Sequence, residues 1–237
     1  MTETMLEWER AALLTSWQVA CLTVLLATPI AVGLTALLTR ARWTGHWVLD
    51  ALLLVPAALP PAVLGFGLLM GLTPMGEVGH TLFELTGWQL AFFPDGVLLA
   101  STLTTLPLMI RQLRPAFESI DPMLHPVAAS LGTSPWRVWW GITLPMLTPA
   151  VLSAASLGLA LAWGESGATL ILGFTLLPAG TLGASGTVPL ALVEALQSMD
   201  TLGAASRLAL ISVLVVVATL LASEGLRHHW MSRYRTP

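Results

Sequence analysis

Five apolar runs constrain this chain more than any other feature of its sequence. They cover roughly residues 13–38, 48–72, 96–110, 147–174 and 202–226. A spanning helix needs about 20 mostly apolar residues, because the hydrocarbon core is about 30 Å thick. Only 10% of the 237 residues are charged and 55% are hydrophobic, whereas soluble domains carry about a quarter charged residues. Such a chain is an integral membrane protein. In lipid each backbone polar group must be satisfied within the structure, so the expected fold is all-α. We expect one polytopic bundle of about five spans, a single transmembrane domain over residues 1–237.

Arginine placement orients the bundle. With five spans, Arg40, Arg42, Arg111, Arg114, Arg137, Arg227, Arg233 and Arg235 fall on one side, and Arg10 and Arg207 on the other. Cytoplasmic loops carry the excess of basic residues, so the N-terminus is expected outside and the C-terminus inside. Residues 1–10 hold Glu3, Glu7 and Glu9 against Arg10. That is not the basic start of a signal peptide, and a short amphipathic surface segment is expected. The second run contains Pro56, Pro60 and Pro61. Proline removes a donor and frees the carbonyl one turn earlier, so an ideal helix through this run is impossible, and its freed carbonyls need protein or a wet pathway. Residues 73–95 form an outer loop, where Trp88, Phe92 and Phe93 suit the headgroup level. A Gly/Pro-rich stretch at 178–189 precedes a possible short amphipathic helix at 190–199.

The most polar long segment between spans is residues 118–145, which the orientation places in the cytoplasm. A short helix is expected over about 122–131, stopped by Gly132, because glycine accepts the left-handed conformation that ends helices. Ser134 suits an N-cap, and Pro135 the first helical position, where a missing N–H costs nothing. A second helix then leads back into the membrane through Pro145 and Pro149.

This loop resembles the coupling loop of bacterial ABC importer permeases, Glu-Ala-Ala, three residues, Gly, nine residues, Ile, one residue, Leu-Pro. Ala128, Gly132, Ile142, Leu144 and Pro145 stand at its spacings, with Pro126 and Val127 where the family has Glu and the first Ala. Elsewhere the chain is similar to molybdate-type permeases. Leu59, Pro60, Pro61, Val63 and Gly65 match their Leu-Pro-Pro-x-Val-x-Gly pattern. Gly164-Glu165-Ser166-Gly167-Ala168-Thr169 matches Gly-Glu-Phe-Gly-Ala-Thr except at Ser166, and Gly186-Thr187-Val188-Pro189-Leu190 matches as well.

The resemblance implies a bacterial inner-membrane homodimer served by a cytoplasmic ATPase dimer and an extracytoplasmic binding protein, importing an oxyanion by alternating access. Molybdate is the expected substrate, with tungstate, sulfate or another small solute as the alternative. The coupling loop, about 115–146, would receive the ATPase through Ala128, Gly132, Ser134, Arg137, Ile142, Leu144 and Pro145. Pro60, Pro61, Gly65, Gly164, Glu165, Gly167 and Thr169 would form the pathway or gate. No internal repeat is visible in the sequence. Five spans without inverted halves argue against a self-contained transporter of the inverted-repeat type, and a two-fold dimer is the economical alternative.

Residue chemistry sets further bounds. All ten basic residues are arginine, and a phosphate-binding P-loop needs a lysine. ATP and Mg therefore belong to a partner, and no cofactor is expected in this chain. Glu165 in a span is a functional hypothesis by default. A carboxylate would repel an oxyanion, so Glu165 is expected to hydrogen-bond backbone or hydroxyl groups and shape the gate. Arg111, Arg114 and Arg137 suit either headgroup anchoring or contact with an ATPase. His228 and His229 point about 100° apart on a helix and lack the carboxylate or thiol company of a metal site. His125 lies in the loop with no chemistry of its own, and Cys21 suits packing. No catalytic pair of an intramembrane enzyme is evident, and the small net charge of −3 gives no reason to expect nucleic acid. A structural or assembly membrane protein is the reading from a different class.

Overall fold

A computed structural model describes residues 2–40, 45–73, 76–87, 95–176, 186–196 and 202–234. The described residues form α-helices and one π-helical turn: α1 (Thr2–Arg40), α2 (His46–Ala58), α3 (Pro61–Leu72), α4 (Glu77–Thr86), α5 (Asp95–Glu118), α6 (Leu124–Ser130), α7 (Pro135–Val138), the π turn Trp139–Thr143, α8 (Leu144–Gly164), α9 (Gly167–Leu176), α10 (Val188–Ala195) and α11 (Leu202–Tyr234).

At about 1.5 Å per residue, the 39 residues of α1 outrun the hydrocarbon core. Its buried face is a ladder of small residues near every fourth position: Ala12, Ser16, Ala20, Thr23, Ala27, Ala31 and Thr35. Lipid offers helices no hydrophobic drive to associate, so close packing through small side chains holds them together. Leu14, Trp17, Leu25 and Leu37 are exposed.

The start of the chain is not a separate surface segment. Residues 2–10 continue α1, and Glu9 is buried against Arg207 of α11, with Arg207 Nε donating to Glu9 Oε2 at 3.2 Å. Its partner lies 198 residues away in sequence.

Packing fixes which ends lie together. Ala31 and Leu38 of α1 cluster with Leu113 and Phe117 of α5 and Leu147 of α8. Arg114 Nη1 of α5 meets Asp50 Oδ2 of α2 at 2.7 Å. At the opposite end Ala12 and Ala20 of α1 join Trp163 of α8, Val188 of α10 and Leu208 of α11. The Arg111 and Arg114 end is thus one face of the bundle, and the positive-inside rule makes it cytoplasmic.

Among the described residues, four helical stretches are long and apolar enough to cross a membrane, and α2 with α3 forms a further, broken candidate bent by 98°. That pair starts at the inner end, where Asp50 meets Arg114. It reaches the half of the bundle where Leu69 packs on Ala100 and Ala168. The chain must change sides there, because α5 begins at the outer end, so the pair counts as a crossing and the described residues hold five.

Three boundaries differ from the sequence reading. The third span runs on to Glu118 rather than stopping near residue 110, since Arg114 is neutralised by both Asp50 and Glu118. The fourth breaks at Glu165–Ser166. The outer loop contains α4, closed by Gly87 at φ 70°. Trp88, Phe92, Phe93 and most of the 178–189 stretch lie outside the described residues. The short helix expected at 190–199 is seen as Val188–Ala195, and residues 197–199 also lie outside them.

Candidate functional site: two helix breaks and a cytoplasmic elbow

Two helices are interrupted, and their interruptions face each other. The first follows from proline chemistry. Pro60 sits extended (φ −53°, ψ 130°) ahead of α3, and Pro61 takes the first helical position, where its missing N–H is harmless. The Pro60 carbonyl instead accepts from Val63 and Leu64, at 2.8 and 3.2 Å. The second break joins α8 to α9 through Glu165 and Ser166.

Glycines let the two meet. A Cβ on Gly167 would collide with Pro61, and one on Gly65 would lie 2.8 Å from Ala168 Cα and 3.0 Å from Ile171 Cβ. Helices α3 and α9 therefore touch backbone to backbone. Beside the contact is an open groove of about 210 Å³, lined by Pro56, Leu59, Pro61, Gly164, Glu165 and Gly167, with Thr104 and Leu108 of α5 behind them. Pro61, Gly164, Glu165 and Gly167 are thus brought to one groove and Gly65 to its buttress. Pro60 is exposed at the break, and a Cβ on Gly164 would meet nothing within 4 Å.

Glu165 turns its carboxylate back onto its own chain. Its Oε1 accepts from the Ala168 N–H at 3.1 Å and its Oε2 from the Thr169 N–H at 3.2 Å, and the Thr169 hydroxyl also donates to Oε2. The first N–H groups of a helix lack partners and carry partial positive charge. Here the protein supplies the anion itself, so the α9 terminus is already satisfied.

Thr169 is buried on the far side, in a narrow cavity with Ser16, Ser101, Trp163 and Thr187. Ser101 Oγ, Trp163 Nε1 and Thr187 Oγ1 are buried there without a hydrogen-bond partner among the described residues.

At the cytoplasmic end, α6 and α7 form an elbow. Gly132 has φ +75°, and the Gly132 N–H bonds the Ala129 carbonyl while Thr133 N–H bonds that of Ala128, each at 3.0 Å. These two bonds are the Schellman pattern that closes a helix. Ala128 is buried beneath the elbow.

Ser134 caps differently from expectation. It has extended backbone but makes no side-chain cap bond. Its carbonyl accepts from Arg137 and Val138, at 3.0 and 3.2 Å, and its hydroxyl is left to solvent. Arg137 is exposed, with no ion pair among the described residues.

The π turn Trp139–Thr143 precedes Pro145, and Leu144 N–H reaches back to the Trp139 carbonyl. Widening the turn relieves the clash a proline ring makes with the carbonyl four residues earlier. Ile142 and Pro145 are exposed there and Leu144 is half-buried.

The elbow shows Val127, Leu131, Trp136 and Trp140 to solvent, Leu131 at 78%. Trp136 and Trp140 meet edge to face at 5.5 Å. Between the elbow and the inner ends of α1 and α5 is a cavity of about 840 Å³, reaching Thr39, Phe117, His125 and Trp139. An apolar surface of this kind is one that a protein partner or the membrane interface would cover.

A polar knot between three helices was among the features the sequence did not place. Gln112 Nε2 donates to Ser153 Oγ at 2.6 Å and Ser223 Oγ at 3.0 Å, and each serine hydroxyl donates to the other's carbonyl, at 2.7 and 2.8 Å. This knot ties α5, α8 and α11. Its available signal was Gln112, between two arginines just past the third apolar run, and Ser153 and Ser223 within apolar runs, residue types that bridge membrane helices.

The family model for the binding-protein-dependent transport system inner membrane component matches residues 24–227. The chain is 34% identical over 227 residues to the "Molybdenum transport system permease protein ModB" of Escherichia coli K12, covering 96% of this chain and 94% of that one. It is 37% identical over 212 residues to the ModB protein of Mycobacterium bovis, covering 89% and 76%. It is 33% identical over 204 residues to the "Probable sulfate transport system permease protein cysT" of Chlorokybus atmophyticus, covering 79% and 69%. In fold it is similar to a chain of a bacterial alginate ABC transporter solved with its alginate-bound periplasmic protein, with a TM-score of 0.61, 16% identity, and 95% and 79% of the two chains covered. The chain belongs to the binding-protein-dependent transport system inner membrane components, the permeases of ABC importers.

Proposed function

We propose that two copies of this chain, each a single transmembrane domain over residues 1–237, enclose a pathway for molybdate. A cytoplasmic ATPase dimer that binds ATP and Mg drives it, and an extracytoplasmic binding protein loads it. The observation that carries this reading is the meeting of the two helix breaks at Pro61 and Gly167, beside a groove that reaches Glu165. Irregular backbone at membrane depth is tolerated where it is buried in protein or lines a cavity. Glu165 already takes the free N–H groups at the start of α9, so an oxyanion passing the groove finds no strong resting place there. Weak contact suits a conduit, since tight binding would block exit.

The elbow would take the thrust. Leu131, Trp136 and Trp140 offer apolar contact to an ATPase, with Ala128, Gly132 and Ser134 setting the bend and Arg137 a charge at its rim. Ile142, Leu144 and Pro145 join the elbow to α8, so its displacement would carry to the break at Glu165. Pro60, Gly65, Gly164 and Thr169 would hold that break in shape.

The test is reconstitution of the permease with its ATPase and binding protein in proteoliposomes, with uptake of molybdate and tungstate measured by mass spectrometry and of sulfate by radiolabel. ATP-dependent molybdate uptake is expected, with tungstate competing and sulfate competing weakly. The relative from Chlorokybus atmophyticus favours sulfate as a second reading, and preferential sulfate uptake would select it. Failure to retain an ATPase or to transport any oxyanion would defeat both.

A further inference from the structure

A cavity of about 380 Å³ opens between α5, α8 and α11 at the cytoplasmic end, away from the groove and the elbow. Arg111, Gln112, Ser153, Glu224 and Arg227 supply its polar lining. The charges there are not all spent within the protein. Arg114, three residues along α5, is held by Asp50 at 2.7 Å and Glu118 at 3.0 Å. Arg111 has no ion pair among the described residues.

Arg227 is fixed by Glu224, which takes its Nε–H at 2.8 Å and also contacts Nη2. That fork uses one edge of the guanidinium and leaves the Nη1 edge available. Gln112 and Ser153 belong to the interhelical knot, so they form a fixed wall rather than free ligands. The lining therefore carries one net positive charge, two arginines against one glutamate.

Position narrows the ligand. The cavity lies where α5 and α11 leave the inner leaflet, and α11 exposes Leu214, Val217 and Leu221 along the turns leading to it. Acyl chains would run along such a surface. Basic pockets between helices on the cytoplasmic side bind anionic headgroups, and guanidinium forks match the geometry of a phosphate.

We propose that this cavity binds a tetrahedral oxyanion, carried by an anionic lipid headgroup or free in the cytoplasm, with Arg111 as its first ligand and Arg227 as its second. The full chain, purified in mild detergent, is titrated with phosphatidylglycerol, with phosphatidylcholine and separately with inorganic phosphate. Bound lipid is counted by native mass spectrometry, and thermal unfolding is followed in parallel.

Phosphatidylglycerol should bind more tightly than phosphatidylcholine. R111Q and R227Q should each weaken it about fivefold, the effect of one basic residue at an anionic surface. R10Q, at the opposite end of the bundle, should leave it unchanged, and R111K should keep most of the binding. Arginine-dependent stabilisation by inorganic phosphate without a lipid preference would assign the free anion as the ligand of the same site. Should R111Q fail to fold, the wild-type preference and R111K decide. Equal binding of both lipids by the wild type, with no response to phosphate, overturns the site. So does unchanged phosphatidylglycerol binding by a folded R111Q/R227Q variant.

Discussion

Gly132 and Gly167 are both glycines beside a helix end, and they are needed for opposite reasons. At Gly167 the limit is space, because a Cβ would run into Pro61. At Gly132 there is room, with nothing within 4 Å of where a Cβ would lie, but φ is +75°. The meeting of the two helix breaks is thus a close-packed contact, and the cytoplasmic elbow is an open bend set by one torsion. The first suits an element that keeps its shape while the bundle moves, and the second suits one that is gripped from outside.

The hardest test of this contrast is Gly167→Val. Overpacking a tight contact costs about 1–3 kcal/mol, and here the obstacle is a proline ring that cannot rotate away. We expect α3 and α9 to separate, the melting temperature to fall and transport to be lost. Near-normal uptake by a stable Gly167→Val permease would show that the two breaks need not touch.

Gly132→Val probes the other limit. The left-handed conformation costs about 1–2 kcal/mol in an ordinary residue, and a β-branched one is a genuine outlier there. With open space around it, the damage should stay in the elbow. Membrane insertion should survive while transport falls at least several-fold and ATP hydrolysis continues uncoupled. Gly132→Asn should restore most coupling, since asparagine visits that region readily. Asparagine at 167 should rescue nothing. If asparagine behaves alike at both positions, the distinction between space and torsion fails.

Glu165→Gln should act more mildly. The amide keeps one oxygen for the N–H groups of Ala168 or Thr169 but cannot accept at both positions. Weakening a helix-terminal cap costs about 0.5–2 kcal/mol, so transport should drop a few-fold with the fold intact. Complete loss of transport by a folded variant would instead give Glu165 a proton-carrying or substrate-binding role.

What the sequence could reveal divides along the same line. The break at Pro60 and Pro61 is legible because proline's constraint is local, and so is the turn at Gly132. The break at Glu165 is not, since Gly164 and Ser166 alone do not stop a helix in an apolar run. It depends on the carboxylate folding back onto α9 and on α3 lying against it. The same holds for Glu9, whose charge reads as a surface feature until α11 brings Arg207 to it. Arg114 likewise reads as the end of a span, while Asp50 on another helix lets α5 continue one turn further. Residue chemistry announces turns, but buried pairs between distant helices are visible only in the fold.

The smallest expected effect comes from the elbow's other end. Ser134 has the residue type, the extended backbone and the following proline of a helix cap, and removing a capping serine usually costs about 1 kcal/mol. Here its hydroxyl makes no cap bond, and its carbonyl already holds the Arg137 and Val138 N–H groups. Ser134→Ala should therefore leave the melting temperature and the coupling of hydrolysis to uptake unchanged. Thermal unfolding and paired assays of ATPase and transport would check both. A loss confined to coupling would mean that the hydroxyl touches the ATPase. A loss of stability would mean that the side chain caps α7 after all, and that the elbow is held by more than the Gly132 torsion.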